Sequence, residues 1–325
     1  MYEITRRNLC LSAAATAALF GLDKPLTLIG SAYARSPTDL APFVRFKVGD
    51  LTVTTVSDGV WSRDHDPNFI RNASVDDTKA ALRAAGLPDD KVHIPFTVTF
   101  VETPQGLIMF DAGTGAQLAP TAGKLAANMQ AAGIDPERIT MIPVTHFHPD
   151  HIFGLMAKDT NAAVFPKARL VMPEVEYKYW TDPATLAATP EARQGLIKRI
   201  TSVFPGWLQA GNIELAAPGK EIATGIRMVD SSGHTPGHAA FQVSSGNQQL
   251  MVLGDVSNIP ALFVRNPGWH AMFDMDAQKA EATRRALYDR AIADNMMVSG
   301  YHFGMPGAGS ITRDGNGYAF VPVAG

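Results

Sequence analysis

The chain has 325 residues, 46% hydrophobic and 18% charged, with a formal net charge of −3. That length can bury a large core and suits one big αβ domain or two modest ones. The near-neutral balance, without a run of Lys and Arg, excludes an electrostatic footprint for nucleic acid, so no nucleic-acid partner is expected.

Residues 1–34 read as a targeting segment. Arg6-Arg7 precede an apolar, alanine-rich stretch from Leu11 to Phe20, and Ala32-Tyr33-Ala34 supplies a small-residue cleavage pattern. This is the pattern of a twin-arginine signal, and it predicts export of an already folded protein to the periplasm; a frayed N-terminal helix is the structural alternative. The apolar run is too short to span a bilayer comfortably, so no stable membrane anchoring is expected. The only cysteine, Cys10, precedes that run, which argues against a lipid anchor. The remainder, 35–325, is read as a single domain without disulfide or thiolate, so any metal there must be held by imidazole and carboxylate.

Arg45–Val48 and Leu51–Val56 pattern as strands around the Gly49-Asp50 turn, and His93–Val101 with Leu107–Asp111 as a hairpin across Pro104-Gln105-Gly106. Pro120–Ala132 has helical spacing of Leu125, Met129 and Ala132, with Gly133 as its stop. The apolar run Met141–Val144 leads into a histidine cluster. Arg169–Met172 is the next expected strand, followed by helices at Glu174–Trp180 and Glu191–Val203. Strands are expected at Arg227–Val229, Ala239–Val243, Gln249–Leu253, Met296–Ser299 and Tyr318–Val323, with a helix at Ala277–Ala293. Hairpins with helices between groups of strands argue for two mixed sheets packed face to face with helices outside, an α/β sandwich of the αββα kind.

The strongest local signal is Thr145-His146-Phe147-His148-Pro149-Asp150-His151. His146 and His148 lie two apart and point to the same side of an extended segment. Pro149 marks a turn into a short helix that carries Asp150 and His151. Burying three imidazoles and a carboxylate without a shared partner is unfavourable, and a metal resolves that cost. Imidazole with carboxylate suits Zn, Mn, Fe or Co. Among the other histidines, His238 reads as structural or as support for a ligand, while His270, His93 and His65 read as surface or packing residues. Asp58 in Ser57-Asp58-Gly59 reads as a turn residue, with support of a ligand histidine as the alternative.

His146-Phe-His148-Pro-Asp150-His151 resembles the HxHxDH signature of the metallo-β-lactamase superfamily. Later positions match its remaining motifs in order: His234 in Ser232-Gly233-His234-Thr235, Asp255 in Leu253-Gly254-Asp255, and His302 in Gly300-Tyr301-His302-Phe303. Asp111 in Phe110-Asp111-Ala112-Gly113 resembles the early motif that supports the site without binding metal. The resemblance implies two divalent ions, zinc foremost. One would be held by His146, His148 and His234, the other by Asp150, His151 and His302, with Asp255 bridging. Asp150 and Asp255 are also the expected catalytic carboxylates. A hydroxide between two cations would attack an electrophilic carbonyl or phosphorus centre.

Within the superfamily, the segment Ile139–Leu155, the stretch from Ser232 to His238 and the tail from Gly307 to Val323 are similar to methyl parathion hydrolase and the related exported lactonases. That likeness implies a small-molecule ester substrate with a good leaving group: a lactone, an aryl ester or an organophosphate triester. It also implies an apolar pocket, for which Trp180, Leu118 and Phe147 are the candidates, joined by Phe153, Leu262 and Phe263. A homodimer is a further implication. No tyrosine aligns with the one that acyl-homoserine lactonases place near their metals. A β-lactamase is the alternative enzyme, although the Asp150, His151 and Asp255 set differs from a cysteine-containing second site. A non-catalytic metal-binding protein is the non-enzyme alternative.

Overall fold

Alternating apolar positions along the strands dictate two sheets sharing one core. The computed structural model describes residues 41–324; the expected signal segment and Cys10 lie outside them. The first sheet follows the chain in order: β1 (Phe43–Val48), β2 (Leu51–Arg63), β3 (Val92–Thr103), β4 (Gly106–Phe110), β5 (Ile139–Pro143), β6 (Arg169–Pro173) and β7 (Ile213–Ala216). The second runs likewise through β8 (Glu221–Ala223), β9 (Ile226–Asp230), β10 (Ala239–Ser245), β11 (Gln248–Val252), β12 (Met297–Ser299), β13 (Ala308–Asp314) and β14 (Gly317–Pro322). Each starts as an antiparallel meander; the first is parallel from β4 through β7, whereas the second has the single parallel pair β11–β12 before returning to antiparallel pairing.

The burial pattern follows the two-residue period of a strand. Val101, Ile108 and Phe110 face Met228, Phe241 and Val243 across the interface between the sheets, with the rings of Phe110 and Phe241 5.4 Å apart. The alternate residues Phe96, Val98, Phe100, Leu107 and Met109 turn outward into a second apolar cluster. Covering that outer side are α1 (Val75–Ala84), α2 (Leu125–Ala131), α3 (Pro149–Ile152), α4 (Glu174–Thr181), α5 (Pro183–Ala188), α6 (Glu191–Thr201) and α7 (Pro205–Gln209). The outer face of the second sheet carries Ala240 and Met251, which meet Leu287, Tyr288 and Ala291 of α8 (Ala277–Ala293). The αββα sandwich expected from the order of elements is the observed fold.

Local differences have local causes. The helix expected from Pro120 begins only at Leu125, because the preceding loop is stitched to β2: Val60 N donates to Thr121 O, and Leu125 N to a carboxylate oxygen of Asp58. Gly133 takes φ +66 and ends the helix region as expected. Helix α1 was not anticipated, although Ser74 and Asp77 form a reciprocal capping box in which each side chain accepts from the other's backbone N–H. Strands β7, β8 and β13 were also not anticipated. No described helix is long and apolar enough to cross a membrane.

Candidate metal centre

The strands that turn parallel end at one rim of the sandwich. Asp111 follows β4, His146 and His148 follow β5, and Asp150 and His151 lie in α3, where Pro149 occupies the first turn. From the second sheet, His234 lies between β9 and β10, Asp255 follows β11, and His302 lies between β12 and β13. Five imidazoles and two carboxylates therefore converge from distant parts of the chain.

Two groups of donor atoms result: His146, His148, His234 and Asp255 in one, and Asp150, His151 and His302 in the other. His148 presents Nδ1, which lies 2.9 Å from His146 Nε2 and 2.9 Å from His234 Nε2. Asp255 Oδ2 lies 3.3 Å from His234 Nε2 and 3.0 Å from His302 Nε2, while its Oδ1 lies 3.2 Å from His151 Nε2. The Asp255 carboxylate thus faces both groups. Asp150 Oδ2 is 3.5 Å from each of His151 Nε2 and His302 Nε2.

Four nitrogens around a tetrahedral ion, each about 2.05 Å from it, stand about 3.3 Å apart, which is the spacing seen here. The buried His151 Nε2 and Asp255 Oδ1 have no hydrogen-bond partner, although buried polar atoms ordinarily have one. Converging lone pairs, orphaned donors and a donor set of imidazole and carboxylate suit two metal ions. Protonation tells the same story. Burial, with His234 close by, pushes His148 down to about 3, and burial holds His146 well below the usual imidazole range. These rings favour the neutral form that a metal requires. Burial opposes a charge on His151 too, yet Asp255, Asp150 and Asp111 around it hold it well above that range.

The family model described as the Metallo-beta-lactamase superfamily matches residues 97–302, more than half of the chain. The chain belongs to the metallo-β-lactamase superfamily. Probable metallo-hydrolases of Mycobacterium bovis and Mycobacterium tuberculosis are each 27% identical over 178 residues, or 49% of this chain and 55% of theirs. The chain therefore spans about half the length of the curated relatives it matches. The solved structure of AidC, a dizinc quorum-quenching lactonase in complex with a product, N-hexanoyl-L-homoserine, is 26% identical with a TM-score of 0.80. It aligns with 88% of this chain and 99% of its own. Hydrolase AbOPH, in the beta lactamase superfamily, shares the fold with a TM-score of 0.81 at 23% identity, over 88% of this chain and 98% of its own.

In this metallo-β-lactamase-superfamily site, buried partners hold the imidazoles in register. Asp111, at φ +61, accepts from His151 Nδ1 at 2.8 Å, from Thr145 N at 2.7 Å and from Thr145 Oγ1 at 2.8 Å. Thr145 Oγ1 in turn accepts from His146 Nδ1 at 3.0 Å. A single carboxylate therefore orients one histidine in each group. His302 Nδ1 donates to Pro95 O at 2.8 Å. His238 Nε2 accepts from the Asp255 backbone N–H at 3.0 Å, and its Nδ1 pairs with Ser231 Oγ; it touches Asp255 without joining the donor groups.

Sequence reasoning missed four contributors. Asp274 Oδ1 accepts from His234 Nδ1 at 2.9 Å, with Arg284 behind it. Tyr301 lays its ring over His151, with centroids 3.8 Å apart, and donates its hydroxyl to Asp150 O at 2.6 Å. The fully buried Glu176 accepts from Phe147 N, Gly237 N and Trp180 Nε1, and burial raises its pKa. It joins both histidine loops to α4. The only available sequence signals were an acid four residues before Trp180 and an arginine on the apolar stripe of α8.

The pocket candidates divide. Trp180 stands 6.2 Å from His148, ring to ring. Leu118 is exposed on a loop that Gln117 fastens to Phe153 O and Met156 O, just beyond α3. Phe147 is corrected: its exposure is 0% and it packs on Phe204 and Tyr177, because the residue between two same-side ligands points the opposite way. Leu262 and Phe263 are likewise fully buried. Asp58 is neither a turn residue, since it lies within β2, nor a hydrogen-bond partner of a histidine of the cluster. It stands at a bulge of β2 and accepts from Thr114 N, Thr114 Oγ1 and Leu125 N. His65, His93 and His270 lie away from the cluster, paired with Asp89 O, Ser62 Oγ and Glu281 Oε2.

Proposed function

We propose that the protein is a dinuclear metal-dependent esterase whose preferred substrates are lactones and aryl esters with good leaving groups. The observation that carries this reading is the Asp255 carboxylate facing both donor groups. The likeness to AidC supports the substrate class, and zinc is the proposed metal on the same ground. Two bound divalent ions would polarise the scissile carbonyl and lower the pKa of a water toward neutrality.

The chain's own groups do the rest. Asp255 and the five imidazoles hold charge and geometry fixed before substrate arrives, so little reorganisation accompanies reaction. The Asp150 side chain is 15% exposed against 6% for Asp255, which makes it the carboxylate placed to accept the proton of the attacking water. Tyr301, the tyrosine against the cluster, already donates its proton to Asp150 O. Protonation of the leaving group then falls to Asp150, an arrangement that suits groups departing as weak bases. Trp180, fixed through Glu176, offers an apolar edge beside His148 for the acyl or aryl part. With Cys10 the only cysteine, a thiolate-containing β-lactamase site has no donor in 35–325. The reading also takes residues 1–34 as the export signal and the periplasm as the working compartment.

The test is a panel of lactones, aryl esters, phosphotriesters and the β-lactam nitrocefin, offered to metal-analysed protein and ranked by kcat/KM. Lactones or aryl esters should lead and chelation should abolish their turnover. Nitrocefin in first place would replace this reading with a β-lactamase, and inactivity on the whole panel with two bound ions would leave a metal-binding protein.

A further inference from the structure

Helix α8 buries Ala280, Arg284, Leu287, Tyr288 and Ala291 along one stripe, so an arginine occupies a position where an apolar residue is expected. Arg284 retains 1% of its exposure. Desolvating a guanidinium is unfavourable unless its N–H groups find acceptors. Its Nε donates to Val256 O at 2.8 Å, and its Nη1 to Pro267 O at 2.8 Å and Trp269 O at 3.0 Å. Nη2 donates to Asp274 Oδ2 at 3.3 Å. These acceptors begin at the residue after Asp255 and end at the carboxylate that holds His234.

We propose that Arg284, acting through Asp274 and Val256, is a positioning residue for the metal position formed by His146, His148, His234 and Asp255. The proposal rests on the metal-centre reading above and adds to it a group outside every ligand motif. With Oδ2 of Asp274 tethered by Arg284, Oδ1 is left for His234 Nδ1–H at 2.9 Å. That bond fixes the tautomer whose Nε2 lone pair points into the cluster. The tether on Val256 O fixes the backbone one residue past Asp255, while His238 holds Asp255 N from the other side at 3.0 Å.

The start of α8 braces the same loop. Thr283 Oγ1 donates to Ser232 O at 2.9 Å, Asp276 N to Gly233 O at 2.9 Å and Met275 N to His234 O at 3.0 Å. A Cβ added to Gly233 would lie 2.4 Å from Ala280 N, so the loop lies directly on the helix. The other donor group leans on different supports: Asp111 for His151 and Pro95 O for His302. The two groups share only Asp255, so disturbing Arg284 should weaken the position that contains His234 well before the other.

The experiment uses the full chain, stripped of metal and titrated with cobalt(II), read by chelator competition and by the visible bands that report coordination geometry. Wild type should take up two ions. Asp274→Asn and Arg284→Met should each weaken one of the two by about 10–100-fold, the usual effect of removing an outer partner of a ligand, and should alter the bands of that ion more than those of the other. Arg284→Lys should fall between them and wild type. The double variant should lose less than the two single effects combined, since both substitutions act on the Asp274 contact. Leu287→Ala, one turn further along α8, should lower the unfolding temperature and leave both cobalt affinities unchanged. The proposal is overturned if Asp274→Asn leaves both affinities intact, if both ions weaken equally, or if Leu287→Ala produces the same selective loss. Should Arg284→Met fail to fold, Asp274→Asn and Arg284→Lys decide on the same criteria. Wild type that binds no cobalt would sink the metal-centre reading itself; two bound ions without esterase activity would sink only the substrate assignment.

Discussion

A carboxylate facing three imidazoles from two donor groups, as Asp255 faces His151, His234 and His302, is the point where both metal positions depend on one side chain. Burial alone would push Asp255 up, yet His302 and His151 beside it hold it well below the ordinary carboxylate range. Asp255→Asn removes the shared charge, so bound metal should fall below two per chain; content that stays at two would show that it does not bridge. His302→Ala should release the ion of its own group first and reduce esterase turnover by orders of magnitude, as followed by metal analysis alongside activity. Asp58 belongs to a different class of residue. It accepts from two backbone N–H groups and a hydroxyl in a fully buried place. Asp58→Ala should lower folding stability by about 3 kcal/mol, the scale of leaving buried donors unpaired, in a denaturant titration.

At the level of elements, α4 is docked by close backbone approach as well as by Glu176. A Cβ on Gly237 would sit 2.1 Å from Glu176 N, so only glycine lets the His234–His238 loop touch the helix at this point. Gly237→Ala must push α4 outward and carry Trp180 away from His148. The expected cost in stability is about 1–3 kcal/mol, typical of overpacking, and KM for the preferred ester should rise more than kcat falls. A variant with unchanged KM would separate α4 from the pocket. Helix α3 illustrates the opposite economy: four residues headed by Pro149 suffice to turn Asp150 and His151 toward the cluster.

At the level of the whole molecule, the donors come from both sheets. His146, His148, Asp150 and His151 follow the first, whereas His234, Asp255 and His302 belong to loops of the second. Bound ions would therefore clip the two halves of the sandwich together, an effect absent from the unfolded chain. An ion present at a hundredfold its Kd contributes about 2.7 kcal/mol of folding stability per position. Chelation should thus lower the unfolding temperature as well as abolish activity, and restoring metal should recover both. An unfolding temperature indifferent to chelator would mean that the interface between the sheets, around Phe110 and Phe241, carries the fold unaided.

What the sequence determined by itself was everything written in short-range spacing. The same-side pair His146 and His148, the turn at Pro149, the hairpins β1–β2 and β3–β4 of the first sheet and the full extent of α8 follow from periods of two and 3.6 residues and from turn chemistry. The capping box at Ser74 was equally legible and marks a helix that apolar periodicity alone did not reveal. Spacing also contained the answer for Phe147, since a residue flanked by same-side ligands must face the core. The tertiary structure alone decided the supports: Asp274 lies 40 positions from His234, Glu176 lies 61 from Gly237, and Tyr301 lies 151 from Asp150. No local period encodes such pairs. A buried carboxylate, phenol or guanidinium acquires its role only when folding removes water and leaves one partner within reach.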